Sequence, residues 1–306
     1  MGINIQTLKF LLEENQYLPL YGDILLIGRS TVTISDNRVS KLFEKFGLSA
    51  SSLLNPKKNT ATRHSVSGYH IDDIELFKSL SDNINSVSVL DISEYEGASI
   101  KADLNYPVSE EYHNQFDFIY DSSVLDNIFN PAQGIVNICN LLKSRGRILH
   151  LHHSSFFPGS LVACNPEWFY GFYSCNKFFD LKLYLAEQSS VGWNRFEFET
   201  NLYKYKPSYT YNKNYNRFLA ASSKPSVFYS LCLAQADAEW GQREIVFPSN
   251  LQYISSSEKS NWAIQEDNFN KTSRPLLGGN SAPKDIKNFA ALPLSTDHYE
   301  FLMEKF

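Results

Sequence analysis

Two aspartates follow successive apolar runs in the stretch VLDISEYEGASIKADLNYP at residues 89–107. Asp91 follows the first run and Asp103 the second, at the points where predicted strands end. A carboxylate at the first point can accept hydrogen bonds from both vicinal hydroxyls of a ribose, and one at the second can accept from an exocyclic amine such as that of adenine. Gly28 ends an earlier apolar run and would let the backbone approach a ligand closely. The three residues together predict an adenosine site.

Each residue of this predicted site also has a plain structural interpretation. Asp91 could cap a helix, and Asp103 could serve only to form the turn in DLNYP. Gly28 could be an ordinary turn glycine. Asp121 and Ser122, late in the next predicted strand, reach the same edge of a parallel sheet and are further candidates for ligand binding. Asp121 could equally be a strand-end acid without a ligand.

A second group of reactive side chains lies in the motif HLHHSS, at His150, His152 and His153. His150 and His152 share one face of a strand, and His153 points the other way or leaves the strand. A neutral imidazole can take a hydroxyl proton near pH 7, so His152 and His153 are the candidate catalytic bases. A metal site would need a further carboxylate, and we predict none. The remaining alternative is that these histidines are only packed and hydrogen-bonded at a strand end.

The elements that must position these residues alternate between strands and helices. Strands that are apolar on both faces and alternate with helices indicate a Rossmann-like α/β fold, with a mostly parallel sheet and helices on both faces. After residue 154 the rhythm changes to one helix and two longer strands, FFDLKLYLAEQ and SVFYSLCLAQA. The sequence predicts earlier strands at 22–30, 86–93, 98–104, 115–125 and 146–153, and helices at 4–15, 35–47, 71–80, 130–146 and 166–176.

The order of these motifs resembles the class I S-adenosyl-L-methionine (SAM)-dependent methyltransferases over roughly residues 20–185. The best match is FDFIYDSSVLDNIFNPAQGIVNICNLLKSRGRILHLH, which is similar to the family's strand, V-L-x-x-I-x-x-P, helix, L-L-K-x-x-G and closing strand. The resemblance implies a seven-stranded sheet and SAM as the cofactor. It also implies that Asp91 binds the ribose and that Asp103 lies near the adenine.

The sequence departs from the family pattern at two places. The family's first loop is usually G-x-G-x-G, whereas the sequence here reads LLIGRSTVT and only Gly28 matches. The gap from Gly28 to Asp91 is also longer than the roughly 20 residues that usually separate such a loop from its acid. The family's V-L-E-H is VLDN here, so Asp126 and Asn127 stand where the pattern has its glutamate and histidine.

The chain divides into one predicted domain and an extension. Residues 1–240 form the methyltransferase-like domain, with an insertion at about 48–68 and an acceptor-side region at about 154–224. That region contains PEWFYGFYSCNKFFD (166–180) and YKYKPSYTYNKNYNRF (203–218), whose aromatic and polar side chains could stack on a sugar and bond its hydroxyls. They could also pack on the domain. Residues 241–306 are a polar C-terminal extension of uncertain order.

Composition excludes several classes of protein. The 306 residues are 43% apolar with a net charge of −5 and a pI near 5.8. Basic residues form no cluster, which argues against a nucleic-acid partner. The acidic amphipathic start and the lack of a long apolar run predict neither a secretory signal nor a membrane span. Four cysteines without C-x-x-C spacing indicate reduced thiols, and we expect a cytoplasmic protein. The sequence does not indicate the oligomeric state.

These patterns predict a SAM-dependent methyltransferase that acts on an oxygen, or less readily a nitrogen, of a small molecule such as a sugar or a secondary metabolite. The transfer needs alignment and removal of a proton but no nucleophilic residue. Two alternatives stay open. One is a methyltransferase-like module that binds a ligand or partner without catalysis. The other is a sugar-nucleotide enzyme on a similar sheet, although GRSTVT has no lysine to bind phosphates.

Overall fold

The computed structural model describes residues 2–49, 71–155, 158–190, 198–205, 226–242, 244–248 and 299–301. Most of the predicted insertion at 48–68, most of 203–218 and most of 241–306 lie outside the described residues. Within the described part of the chain, no helix is long and apolar enough to cross a membrane.

The described elements follow the predicted alternation. The helices are α1 (Ile5–Tyr17), α2 (Asp36–Lys45), α3 (Asp73–Lys78), α4 (Pro131–Leu141) and α5 (Pro166–Cys175), with short 3-10 turns η1 (Glu110–Tyr112) and η2 (Leu125–Asn127). The strands are β1 (Gly22–Ile27), β2 (Ile84–Asp91), β3 (Ile100–Lys101), β4 (Phe116–Ser122), β5 (Leu142–His153), β6 (Phe179–Ser190), β7 (Phe198–Tyr205), β8 (Ser226–Gln235) and β9 (Tyr299–Phe301).

The described strands form one sheet in the order β3-β2-β1-β4-β5-β8-β6-β7-β9. The first five strands are parallel, and β8 is antiparallel to both β5 and β6. Strands β1–β6 and β8 make the predicted Rossmann-like, mostly parallel, seven-stranded sheet, so the fold prediction is confirmed. The sheet continues past β6, where β7 and β9 add two antiparallel strands at the edge. The sequence prediction missed both of them.

Two apolar layers cover the two faces of the sheet. Along β1, Leu25 and Ile27 pack into one layer, and Ile24 and Leu26 pack into the other. This alternation follows from the period of two in a strand. The first layer includes apolar side chains of α4 and α5, and the second includes those of α1, α2 and α3. Helices therefore cover both faces, as predicted.

The end of α4 differs from the prediction. Pro131 does occupy the first turn, with the Asn130 side chain accepting from the Gln133 N–H at 3.2 Å. The helix ends at Leu141, however, and Gly146 does not terminate it. Leu142 already pairs with Phe116 of β4, and the register is irregular before the regular pairing resumes at Arg147. Strand pairing therefore overrides the local helical pattern of LLKSRG.

Candidate functional site

The crevice beside β1 and β4 is where the strand order reverses. The chain runs outward from β1 through β2 to β3 and then returns to form β4 on the other side of β1. In open parallel sheets, ligands bind beyond the carboxyl ends of the strands at such a reversal. Gly28 follows β1 and Val124 follows β4, so these two residues flank the crevice.

The structure brings Gly28 and Asp91 together at this crevice. Gly28 has a φ of +71°, and its N–H donates to the Leu90 carbonyl at 2.8 Å. A Cβ atom added to Gly28 would lie 3.3 Å from Val124 Cγ2 and 3.8 Å from Asp91 Oδ2. The space in front of the Asp91 carboxylate therefore exists because residue 28 has no side chain.

Asp91 is half-buried at the end of β2. One of its carboxylate oxygens accepts from the Ser93 N–H at 3.2 Å, which closes a turn after the strand. Ile92 and Tyr95 in the same loop are largely exposed, with 62% and 71% of their surface accessible. Exposed apolar side chains beside a strand-end carboxylate suit a ligand that has both a flat ring and hydroxyl groups.

Asp103 forms a turn with its own neighbour. Its Oδ1 accepts from the backbone N–H of Asn105 at 2.9 Å and from the Asn105 side-chain amide at 2.8 Å. The Asn105 oxygen in turn accepts from the N–H groups of Phe129 and Asn130, at 3.0 and 2.9 Å. Asp103 therefore joins the loop after β3 to the loop before α4. Its role near an adenine stays a prediction.

A buried ion-pair group holds the first loop, and the sequence analysis missed it. The Arg29 guanidinium lies 2.7 Å from Asp72 and 2.6 Å from Asp73, and it also donates to the Glu96 carbonyl at 3.1 Å. The Ser30 N–H donates to the second oxygen of Asp73 at 2.6 Å. The loop after β1, the start of α3 and the loop after β2 are thus fixed to one another.

Burial acts on both partners of this group. It raises the pKa of Asp73, despite the guanidinium beside it. It also opposes the charge of Arg29, but the two carboxylates outweigh that effect and raise the pKa of Arg29. The raised pKa of Asp73 indicates a weak ion pair, whereas the raised pKa of Arg29 indicates a strong one. We take both groups as ionised, because a guanidinium does not lose its proton in proteins and Asp73 accepts from Ser30 as well as from Arg29.

A network of aspartate and histidine side chains lies beneath the ends of β4 and β5. Asp121 and His150 pair across these strands, which places the carboxylate beside the histidine face. Asp121 Oδ2 lies 2.8 Å from His150 Nδ1 and 2.8 Å from His152 Nε2, and all three side chains are fully buried. His150 Nε2 lies 2.5 Å from the Tyr173 hydroxyl of α5. The predicted common face of His150 and His152 is confirmed.

The network continues through Asp126 to His153, which is 6% exposed. His153 Nδ1 lies 2.6 Å from Asp126 Oδ2, and the backbone N–H of His153 donates to the same oxygen at 2.9 Å. The Ser123 hydroxyl donates to Asp126 at 2.8 Å, and Ser123 has a left-handed φ of +68°. His152 Nδ1 faces Asp126 Oδ1 at 3.6 Å. Asp126, the aspartate of the motif VLDN, therefore lies between the buried His152 and His153.

The two carboxylates set the protonation of the buried histidines. Burial opposes charge on His152, but Asp121 and Asp126 together raise its pKa to about 9. Burial lowers the pKa of His150. Although burial opposes them too, the histidine contacts lower the pKa values of Asp121 and Asp126 below the usual carboxyl range. At neutral pH the network therefore contains two carboxylates, an imidazolium at His152 and a neutral His150.

The network also has the composition of a metal site. One atom each from Asp121, His150 and His152 lie within 4.8 Å of one another. Structural zinc sites have four ligands, and catalytic zinc sites keep an accessible coordination position. The three groups are fully buried and hydrogen-bonded to one another. Their geometry is that of an ion-paired network, so we assign no metal to it.

The structure separates the predicted site residues into two sets. Gly28 and Asp91 lie at the crevice. Asp121 is fully buried and bonded to histidines, although its Oδ1 also accepts from the Val124 N–H at 3.3 Å. Ser122 is buried beside it. Sequence reasoning found these residues from their places at strand ends, but nothing local to the chain indicates that β4 supplies the partner of the histidines.

The predicted acceptor-side aromatics of α5 are core residues. Phe169, Tyr170 and Tyr173 are fully buried, Phe172 is nearly so, and Trp168 is partly buried. Phe169 stacks on the His150 ring at a centroid distance of 4.9 Å. These buried side chains therefore follow the alternative that they pack on the domain, and Phe169 and Tyr173 contact the histidine network.

No protein-family model matches the sequence, and no curated protein matches it. Among solved structures, a SAM-dependent methyltransferase from Archaeoglobus fulgidus is 12% identical, with 74% of this chain and 94% of that chain covered and a TM-score of 0.35. A Haemonchus contortus phosphoethanolamine N-methyltransferase 2, in complex with SAM, is 11% identical over 75% and 52% of the two chains, with a TM-score of 0.38. A proposed zinc-dependent alcohol dehydrogenase from Rhodobacter sphaeroides is 13% identical over 51% and 49%, with a TM-score of 0.30.

The chain thus spans about half the length of two of these structures. At identities of 11–13% and TM-scores of 0.30–0.38, these likenesses do not define the activity of the chain.

Proposed function

We propose that the chain binds SAM at the crevice and transfers its methyl group to an oxygen, or less readily a nitrogen, of a small-molecule acceptor. The observation that carries this proposal is the juxtaposition of Gly28 and Asp91 at the reversal of the strand order. The missing Cβ at Gly28 leaves room in front of Asp91 Oδ2, where a Cβ would lie 3.8 Å away. A ribose needs a carboxylate and open space at the same place.

The residues at the crevice fit the nucleoside part of SAM. Asp91 can accept from the two ribose hydroxyls, and the exposed Ile92 gives an apolar surface for the adenine ring. Asp103 and Asn105 form the next loop along the edge, from which polar groups can reach the ring. Arg29 holds the first loop in place through its ion pairs with Asp72 and Asp73. When bound, SAM would supply a methyl group on a positively charged sulfur.

His153 is the residue that we assign to removing a proton from the acceptor. Its Nδ1 lies 2.6 Å from Asp126 Oδ2, so the carboxylate orients the ring and favours the ring proton on this nitrogen. The imidazolium that forms on proton uptake is stabilised by the Asp126 carboxylate. Of the two predicted bases, His153 has 6% of its surface exposed, whereas His152 is fully buried and already protonated at neutral pH. These facts support His153 over His152.

The proposed acceptor is a small polyhydroxylated molecule. The argument for it rests on the composition of YKYKPSYTYNKNYNRF, which is rich in tyrosine and asparagine. A hydroxyl group is the acceptor atom that needs a base such as His153, because its proton must leave as the methyl arrives.

Isothermal titration of SAM and S-adenosylhomocysteine into the purified protein tests this proposal. Micromolar binding of both would support it, and mass spectrometry of a denatured sample would show whether the protein already carries either ligand. Lack of binding at millimolar ligand would contradict the cofactor assignment. If binding is present, a screen of hydroxylated small molecules with deuterated-methyl SAM follows. Binding without transfer to any of them would favour the alternative of a binding module.

Substituting Gly28 by alanine should weaken S-adenosylhomocysteine binding about tenfold or more. The new Cβ would lie 3.3 Å from Val124 and 3.8 Å from the Asp91 carboxylate, in the space assigned to the ribose. Gly47→Ala is a matched control, because Gly47 has the same φ of +71° with no atom within 4 Å of an added Cβ. Both variants should lose about 1 kcal/mol of stability from backbone strain. Equal affinities in the two variants would argue against a ribose at this position.

A further inference from the structure

We propose that His152 is a buried imidazolium that positions Asp126 against His153 and sets the charge that His153 meets when it takes a proton. The proposal deepens the proposed function, on which the role of His153 as proton acceptor rests. The network itself does not depend on that function. His152 acts through Asp126 and contacts no substrate, so it is a positioning residue.

The geometry places His152 between two carboxylates. Its Nε2 lies 2.8 Å from Asp121 Oδ2, and its Nδ1 lies 3.6 Å from Asp126 Oδ1, which is an ion contact and not a hydrogen bond. Phe169 stacks against the ring at 5.7 Å, and the side chain is fully buried. An ionised carboxylate inside a protein needs a partner of opposite charge. Asp121 and Asp126 are both buried, and His152 lies against both of them.

The net charge of the network beside His153 follows from the protonation states of its members at neutral pH. Asp121 and Asp126 contribute −2, His152 contributes +1 and His150 contributes none, so these four groups sum to −1. A proton on His153 brings the total to zero. Among the described residues, the polar or titratable groups with recorded contacts to the network are neutral near pH 7: Ser123, Ser160, Cys164, Tyr173 and Tyr229.

Removing the charge of His152 should therefore raise the proton affinity of His153. In His152→Gln the same groups sum to −2, and His153 should take its proton at a pH about one unit or more above the wild-type value. His150→Gln is the matched control. It makes the same chemical change at a second buried histidine bonded to the same Asp121 oxygen, but it removes no charge. The midpoint of His153 should then stay within about 0.3 of a pH unit of wild type.

Nitrogen-15 NMR of histidine-labelled protein measures these states directly, with or without SAM. In the wild type at pH 7, His152 should show two protonated ring nitrogens and His150 only one. Titration between pH 5 and 9 then gives the midpoint of His153 in each variant, after circular dichroism has shown that the variant is folded. Should a variant not fold, the wild-type spectrum alone still tests the charge of His152.

Several results would overturn the proposal. They are a neutral His152 at pH 7, an unchanged His153 midpoint in His152→Gln, or equal shifts in both glutamine variants. Equal shifts would mean that loss of packing, and not loss of charge, moves the midpoint. The calorimetric titration of SAM is a separate measurement. A network that behaves as expected in a protein that binds no SAM would leave this inference standing and overturn only the proposed function.

Discussion

Replacing Asp91 with alanine is expected to weaken S-adenosylhomocysteine binding by about 100-fold or more. Two hydrogen bonds from ribose hydroxyls to a charged carboxylate contribute about 3 kcal/mol together, which corresponds to roughly two orders of magnitude in Kd. Asp91→Asn keeps the shape and one acceptor oxygen, so it should lose about tenfold. Isothermal titration of the ligand into each variant gives these values.

The control for this prediction is Asp82→Ala. Asp82 is an exposed carboxylate in the turn before β2, at the opposite end of that strand, and its loss should leave affinity unchanged. The melting temperature of Asp91→Ala should stay within about 2 °C of wild type, because the carboxylate is half-buried and its one described backbone contact is a 3.2 Å bond from Ser93. Wild-type affinity in Asp91→Ala would remove the residue on which the proposed site depends.

The second large effect is expected at the Arg29 group. Arg29→Met should lower the free energy of unfolding by about 3 kcal/mol near pH 7, because it leaves the fully buried Asp73 carboxylate without its counterion. Urea denaturation followed by circular dichroism measures this change. The double variant Arg29→Met/Asp73→Asn should recover a large part of the loss, since the buried charge is then absent.

The pH dependence of Arg29→Met has a definite sign. Burial already raises the pKa of Asp73 in the wild type, and loss of the guanidinium raises it further above the value in the unfolded chain. The folded variant then binds more protons than the unfolded chain, so its stability relative to wild type falls as the pH rises and recovers toward pH 4. A loss that is independent of pH would indicate lost packing in place of an uncompensated charge.

An exposed ion pair gives the control for this second prediction. Lys78 and Glu75 lie 3.0 Å apart on the surface of α3, with about half of each side chain accessible. Lys78→Met should change stability by less than about 0.5 kcal/mol, because solvent screens such pairs. If Arg29→Met were as mild as Lys78→Met, the Arg29 group would not be what fixes the first loop.

Much of the fold followed from local patterns. Apolar runs without alternation predicted buried parallel strands, and the strands found at β1, β2, β4 and β5 agree with them. The two edge strands were missed, because β7 lies in a stretch rich in tyrosine and asparagine and β9 has only three residues. Such strands form by pairing with an existing edge, and the partner edge is not visible in their own sequence.

The candidate site, like the fold, was predicted from the sequence only in part. Strand ends predicted that Gly28 and Asp91 share one edge of the sheet, since all parallel strands deliver their carboxyl ends there. The Arg29 group was not predicted, because Asp72 and Asp73 lie more than 40 positions away in the chain. An arginine beside a strand-end glycine and a pair of adjacent aspartates are ordinary features when read separately. Only their contact shows what they do.

The sequence by itself determined that His150 and His152 lie on one face of a strand, because side chains of a strand alternate with a period of two. The tertiary structure decided what that face meets. The register of β4 against β5 sets Asp121 beside His150, and the turn after β4 brings Asp126 to His153. Registers between strands depend on packing across the whole sheet, so a run of local sequence specifies the face but not its partner.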